Sequence, residues 1–88
     1  MLQGGRLINN SALTVSGSVQ LSGGSYEGTG SMILQGGSLV RPLGSTVTWS
    51  NTGLISNTST GSVEIAGGSV ASSFNNAGQM TVSGGATF

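Results

Sequence analysis

The sequence predicts an all-β fold, a parallel β-helix or β-solenoid, of five to six short coils. A phrase of the form apolar-x-apolar-x-Gly-Gly recurs along the 88 residues, and a repeated unit of this size is typical of architectures that stack one copy on the next. Within each copy the apolar residues alternate with others, which places one apolar pair on the inner side of a short strand. A glycine pair follows most of these strands, where a sharp bend requires residues that tolerate positive φ.

Each copy of the phrase contributes one strand whose apolar pair points inward. The predicted core pairs, in chain order, are Val19 and Leu21, Met32 and Leu34, Val47 and Trp49, Val63 and Ile65, and Met80 and Val82. The residue between the two members of a pair, such as Thr48, then faces solvent. A second apolar position follows each glycine pair, for example Tyr26 and Leu54, and we expect it to point inward as well. Every coil is therefore predicted to consist of two strands and two bends.

The bends are predicted from the glycine pairs. The structural turn residues are Gly23, Gly24, Gly36, Gly37, Asn51, Gly67, Gly68, Gly84 and Gly85. Asn51 is included because it replaces glycine in a degenerate copy, and asparagine adopts the left-handed conformation more readily than a branched residue. Equivalent strand starts are 13 to 17 residues apart, and we assign this variation to outward bends at 27–29, 40–43, 55–60 and 71–77.

The domain organisation is one solenoid segment, residues 1–88. The phrase is cut short at residues 2–5, which indicates that the chain begins inside a repeat. We therefore expect the segment to be a fragment of a longer repeat array. Solenoids use polar end caps to stay monomeric, and none is visible in the sequence, so the end coils are predicted either to continue into neighbouring repeats or to associate with other copies.

The composition argues against most catalytic chemistry. The chain has no His, Cys, Asp or Lys, and its charged residues are two arginines and two glutamates with a net charge of zero. Two distant glutamates do not supply a metal site, and the serines lack a base that would activate them. We therefore expect no enzymatic activity, metal or cofactor. Two basic residues do not neutralise a run of phosphates, and no apolar stretch is long enough for a membrane span, so nucleic-acid binding and membrane insertion are not expected.

Two aromatic residues, Trp49 and Tyr26, are candidates for stacking on a sugar. Both occupy inward positions of the repeat, so the core interpretation is favoured over the ligand interpretation. Phe74 lies in a predicted outward bend, and packing over a coil is favoured there over an exposed contact. Glu27 and Arg41 are predicted to occupy similar places in adjacent coils and to pair on the surface.

Asparagine pairs at 9–10 and 75–76 are predicted to make hydrogen bonds in bends or side-chain ladders, since asparagine accepts turn geometry. Residues 9–11 and 57–59 match the acceptor pattern for N-glycosylation. In a chain this rich in Asn, Ser and Thr, the pattern is expected by chance.

The sequence pattern of residues 21–34, in which Ser-Gly-Gly-Ser separates two stretches with alternating apolar residues, resembles the repeats of secreted bacterial surface proteins. These are the filamentous-haemagglutinin-type adhesins and the autotransporter passenger domains. The resemblance covers nearly the whole chain. It implies a right-handed β-helix at the cell surface or outside the cell, acting as a stalk or adhesive surface. Polysaccharide-cleaving members of that class use clustered Asp with Arg or Lys, and calcium-binding nonapeptide repeats also need Asp, which this chain lacks.

The function expected from the sequence is that of a non-enzymatic structural or adhesive segment of an extracellular bacterial β-helix protein. One alternative is a self-assembling fibre subunit that stacks end to end through its open coils. Another is a glycan-binding or phage tailspike-like fragment. The expected partners are neighbouring repeats or further copies of the chain, associated end to end or laterally, with a host surface or a glycan as a possible ligand.

Overall fold

The predicted fold class is confirmed: the chain is an all-β solenoid of about four coils. The computed structural model describes residues 3–88, and within them there are eleven strands and no helix, so nothing in that range has the length or apolarity of a membrane-spanning helix. The strands are β1 (Arg6–Ile8), β2 (Leu13–Val15), β3 (Ser18–Gln20), β4 (Ser25–Glu27), β5 (Met32–Leu34), β6 (Ser38–Arg41), β7 (Thr48–Trp49), β8 (Leu54–Asn57), β9 (Ser62–Ala66), β10 (Ser73–Asn76) and β11 (Gln79–Ser83).

Three parallel sheets form the faces of the solenoid. Sheet I contains β1, β4 and β7; sheet II contains β2, β5, β8 and β10; sheet III contains β3, β6, β9 and β11. Every pairing between these strands is parallel, and the chain visits the three sheets in the same order in each coil. Along sheet II, Leu13 pairs with Met32, Met32 with Ile55 and Ile55 with Phe74, so one coil takes 19 to 23 residues there.

The predicted number of coils, five to six, and the predicted two strands per coil are therefore corrected to about four coils with three strands each. The strands expected from the phrase all exist, but they lie on different faces: β3, β9 and β11 are in sheet III, β5 is in sheet II and β7 is in sheet I. The spacing of 13 to 17 residues was therefore measured between strands that lie on different faces of the solenoid. All three faces use the same alternation and the same glycine bends, so the phrase marks a strand without marking its face.

The missing face lies largely within segments that the sequence assigned to outward bends. Strand β10 lies within 71–77 and three of the four residues of β8 lie in 55–60, and both strands belong to sheet II. The inward residue of β8 is Ile55, which is buried, whereas Leu54 faces outward and is 43% exposed. The predicted inward position of Leu54 is therefore wrong by one residue, and a shift of one residue reverses the face of a strand.

Most of the predicted core is buried. Leu21, Met32, Leu34, Val47, Trp49, Val63 and Ile65 form one apolar cluster with residues such as Tyr26, Leu39 and Ile55. Val19 and Met80 are partly buried against this cluster. Val82 is the exception, because its side chain is 47% exposed. It pairs with buried Ile65 in register, but β11 is the last strand of sheet III, so no further coil covers it.

The glycine bends have two different physical causes. Six of the predicted turn glycines have positive φ: Gly24, Gly36, Gly67, Gly68, Gly84 and Gly85. Gly23 and Gly37 do not, and they are required by close approach between coils. A Cβ on Gly37 would lie 2.6 Å from the main-chain oxygen of Val15, well inside van der Waals contact. Residue 2, the first of the truncated phrase, lies outside the described part of the chain, as does residue 1.

Candidate functional surfaces

The aromatic residues form a column inside the solenoid. The rings of Tyr26 and Trp49 meet edge to face with centroids 5.7 Å apart, Trp49 is followed by Phe74 at 6.3 Å, and Phe74 by Phe88 at 5.4 Å. Tyr26 is fully buried and Trp49 is 5% exposed. Phe74 lies in β10, not in an outward bend as predicted, and it packs against the core. Phe88, at 58% exposure, is the aromatic residue most open to solvent among residues 3–88.

The polar atoms of the two largest aromatic side chains are satisfied by neighbouring coils. Trp49 Nε1 donates a hydrogen bond to Ser72 Oγ at 2.9 Å, and Tyr26 Oη accepts one from Asn9 Nδ2 at 3.2 Å. Burial raises the pKa of the Tyr26 phenol, which keeps it neutral. These contacts bind consecutive coils together, and they leave neither group free to act on a ligand.

Asn51 is fully buried and joins its own coil to the other three. Its Nδ2 donates to the main-chain oxygens of Asn9 at 3.1 Å and Glu27 at 2.9 Å, and its Oδ1 accepts from the Gly53 N–H at 2.8 Å. Its own main-chain oxygen accepts from Ser72 Oγ at 2.8 Å. The predicted left-handed conformation of Asn51 is wrong, since no residue other than glycine among residues 3–88 has positive φ. The side chain is needed for its amide, which gives the buried Gly53 N–H its acceptor and adds a second hydrogen bond to the main-chain oxygens of Asn9 and Glu27.

The same local motif recurs at other bends. Asn9 Oδ1 accepts from the Ser11 N–H and Asn76 Oδ1 from the Gly78 N–H, two residues further along in each case, as in Asn51 with Gly53. The hydrogen bonds predicted for the asparagine pairs at 9–10 and 75–76 agree with these contacts. Within the two pairs, Asn9 and Asn76 make them. The sequence signal is Asn-x-Ser or Asn-x-Gly. It includes both glycosylation-like triplets, whose asparagines at 9 and 57 are at most 7% exposed. Asn57 does not make the contact, because its buried Oδ1 has no hydrogen-bond partner among the described residues.

The surface ion pair involves a different arginine from the one predicted. Arg6 in β1 and Glu27 in β4 form a two-point contact, with Nε to Oε2 and Nη2 to Oε1 both at 2.9 Å. Hydrogen bonds from Arg6 and then from Ser25 lower the pKa of the Glu27 carboxyl to about 2. The predicted Glu27–Arg41 pair is wrong because the coil is longer than expected, which aligns Arg41 with buried Ile65 instead.

Arg41 lies inside the solenoid, and its side chain is 5% exposed. Its Nη1 donates to the main-chain oxygen of Ser69 at 2.9 Å and its Nη2 to that of Val47 at 3.2 Å. Burial lowers the pKa of this guanidinium. The contacts span a gap in sheet I, where β7 does not pair with the residues around Ser69 in the next coil. A charged side chain thus replaces ladder hydrogen bonds, and Gly68 leaves room for it.

Both ends of the solenoid carry open strand edges and apolar side chains. Among the described residues, no strand pairs with the outer edges of β1, β2 and β3 at one end or of β10 and β11 at the other. Leu13 is 37% exposed at the first end, and Val82 and Phe88 are exposed at the second. Unpaired edges with apolar neighbours are templates for further strands.

Residues 3–88 contain no cluster of three or more carboxylate, imidazole or thiol side chains that could hold a metal ion. The connection between β6 and β7, residues 42–47, carries Leu43, which is 81% exposed. No protein-family model, curated protein or solved structure matches this chain.

Proposed function

We propose that this chain is a non-enzymatic structural segment of an extracellular bacterial β-helix protein, in which a rigid solenoid displays its outward bends for adhesion. The observation that carries the proposal is the filled interior. Apolar columns run through all the coils, and buried amide and guanidinium groups bond main-chain oxygens of neighbouring coils. Such an interior resists bending and local opening, which suits a spacer that holds surface groups at fixed positions.

The bend at residues 42–47 is the best candidate for the displayed element. It lies between β6 and β7, and Leu43 projects into solvent. The Leu43 side chain is 81% exposed, so packing does not constrain the residue at position 43. Exposed bends on a rigid scaffold are the usual location of binding residues.

Insertion of a short epitope tests the display role. An epitope placed between Leu43 and Gly44 is expected to leave the circular dichroism spectrum and the melting temperature nearly unchanged while becoming accessible to its antibody. The matched control places the same epitope between Ile33 and Leu34 in the centre of β5, where it is expected to prevent folding. Unfolding by the bend insertion would contradict the proposed role.

The adhesive part of the proposal is tested by binding. The folded segment, immobilised on beads, is expected to retain a host-cell surface extract or an oligosaccharide, and the variant Leu43→Ser is expected to retain less. Binding that survives Leu43→Ser would place the contact elsewhere on the solenoid. Turnover of a bound oligosaccharide would contradict the non-enzymatic assignment.

A further inference from the structure

We propose that Arg41 is a positioning residue that holds the outward bend at 42–47 in one conformation, so that Leu43 is presented to a partner in a fixed orientation. The inference rests on the proposed display role of this bend, and it adds the side chain that keeps the bend ordered. It is drawn from the two oxygens that Arg41 bonds, from the hydrogen bonds of the bend and from the lack of an acidic partner for the guanidinium.

The guanidinium of Arg41 closes the base of the bend. Arg41 is the last residue of β6, and its Nη2 donates to the main-chain oxygen of Val47, six residues further along at the other end of the bend. Its Nη1 donates to the main-chain oxygen of Ser69 in the following coil. One buried side chain therefore joins the two ends of the bend to each other and to the next coil.

The rest of the bend is bonded to the preceding coil. The Thr46 N–H donates to the main-chain oxygen of Ser22 at 3.1 Å, and Ser45 Oγ donates to that of Leu21 at 2.7 Å. On the opposite side, no main-chain hydrogen bond joins residues 42–47 to the part of the following coil that the structure describes. The side chain of Arg41 supplies a connection on that side.

The tip of the bend is a tight turn that carries Leu43. The Ser45 N–H donates to the main-chain oxygen of Pro42 at 3.1 Å, and Gly44 has a φ of 81°. A positive φ at the third of four residues is a feature of type II turns. Leu43 occupies the second position, where its side chain is 81% exposed. The local sequence thus forms the turn, and Arg41 fixes its base.

Packing does not explain an arginine at this position. Arg41 pairs with Ile65 and Ile65 with Val82, so the neighbouring places on the inner side of sheet III hold aliphatic residues. The ion pair of residues 3–88 joins Arg6 to Glu27, and within that range the buried charge of Arg41 has no acidic partner. Replacement of buried charged groups by apolar side chains of similar size is often neutral or stabilising. We therefore expect Arg41 to contribute order in the bend rather than global stability.

Order in the bend before binding favours affinity. A mobile loop loses conformational freedom when a partner fixes it, whereas a loop that is already ordered does not. The guanidinium is itself confined, because Gly68 lies so close to it that a Cβ there would overlap Nη2 of Arg41. The bend is therefore predicted to meet its partner as a preformed element.

Order parameters of the main-chain N–H groups, measured by NMR relaxation, test the proposal. In the unchanged chain, residues 43–46 are expected to have values of about 0.85, which are typical of a rigid backbone. In Arg41→Met, these values are expected to fall below about 0.6, while those of the bend at 58–61 stay unchanged. The midpoint of urea unfolding should change little. Arg6→Met, which removes an arginine from the surface, is the matched control and should leave the bend ordered.

Three outcomes would overturn the proposal. Low order parameters for residues 43–46 in the unchanged chain would do so whether or not Arg41→Met folds. Values that stay high in Arg41→Met would show that the bend is ordered without the guanidinium. An equal decrease at 58–61 would show that Arg41 supports the whole solenoid instead.

The measurement is separate from the test of adhesion, because order parameters require no ligand. A bend that loses its order only in Arg41→Met, in a segment that retains no host extract or oligosaccharide, would support the role of Arg41 and contradict the proposed adhesion. A mobile bend in an unchanged chain that binds through Leu43 would overturn the role of Arg41 and support the adhesion.

Discussion

Replacement of Asn51 by glycine separates two explanations for an asparagine at a bend. If the residue were selected for a left-handed backbone, glycine would be tolerated or would stabilise the fold. The structure instead gives Asn51 three side-chain hydrogen bonds, two donated to main-chain oxygens of Asn9 and Glu27 and one accepted from Gly53. At about 0.5 to 1.5 kcal/mol for each bond, Asn51→Ala is expected to lower the free energy of unfolding by about 1.5 to 4.5 kcal/mol.

Asn51→Gly is expected to be at least as damaging as Asn51→Ala, because glycine loses the same bonds and adds about 0.5 to 1 kcal/mol of backbone entropy. The assay is equilibrium unfolding in urea, followed by the fluorescence of Trp49, which is the single tryptophan and is 5% exposed. In thermal unfolding, the lower limit corresponds to a decrease of about 6 °C or more for a chain of this size.

The matched control for Asn51 is Asn75→Ala. Asn75 is exposed in β10, and its removal is expected to change the free energy of unfolding by less than about 0.5 kcal/mol. Asn51→Gly with the stability of the unchanged chain would refute the hydrogen-bonding explanation. Equal losses for Asn51→Ala and Asn75→Ala would refute the placement of Asn51 in the interior.

Three further predictions address packing and charge. Gly53→Ala is expected to cost about 1 to 3 kcal/mol in urea unfolding, because its Cβ would overlap a main-chain oxygen of the preceding coil, whereas Gly17→Ala, with open space around it, should be neutral or slightly stabilising. Leu34→Asp is expected to unfold the chain, as judged by circular dichroism, because Leu34 is fully buried. Thr48→Asp, on the outer surface, should leave the circular dichroism spectrum nearly unchanged. Equal loss of structure in the two variants would contradict the inward register. The pKa of Glu27 is lowered from 4.5 to about 2, so the stability that the ionised Glu27 carboxyl contributes is complete above pH 4.5 and is lost as the pH falls toward 2. Between these pH values, the melting temperature of Glu27→Gln should decrease less than that of the unchanged chain. Melting temperatures that decrease in parallel for the two proteins would contradict the ion pair.

Several features of the fold follow from local sequence alone. The alternation around residues such as Met32 and Leu34 identifies strands and their inner sides, because a strand places successive side chains on opposite faces. The glycine pairs identify bends, because positive φ excludes most other residues. The burial of Tyr26 and Trp49 was predictable for the same reason as that of the aliphatic residues: both occupy inward positions of the repeat.

The composition of the candidate surfaces was also partly predictable. The absence of His, Cys, Asp and Lys is a property of the sequence, and it guided the expectation of a structural role. The Asn-x-Ser and Asn-x-Gly triplets at 9–11, 51–53 and 76–78 contain a local signal for the hydrogen bonds from each asparagine Oδ1 to the N–H two residues further along. These bonds are local, but the main-chain oxygens that accept from Asn51 Nδ2 lie in other coils, so the triplets alone do not indicate that Asn51 reaches both Asn9 and Glu27.

The sequence by itself determined the fold class, the strands that carry the repeated phrase and the residue types that are absent, because alternation, glycine and composition act locally. The tertiary structure decided the number of faces, the length of a coil and the pairing across coils. Three similar faces give the same local pattern, so only stacking distinguishes them, and stacking assigns Arg6 rather than Arg41 to Glu27 and leaves Val82 exposed at an open end. Register between coils depends on which bends absorb extra residues, and that choice is made by packing of the whole coil.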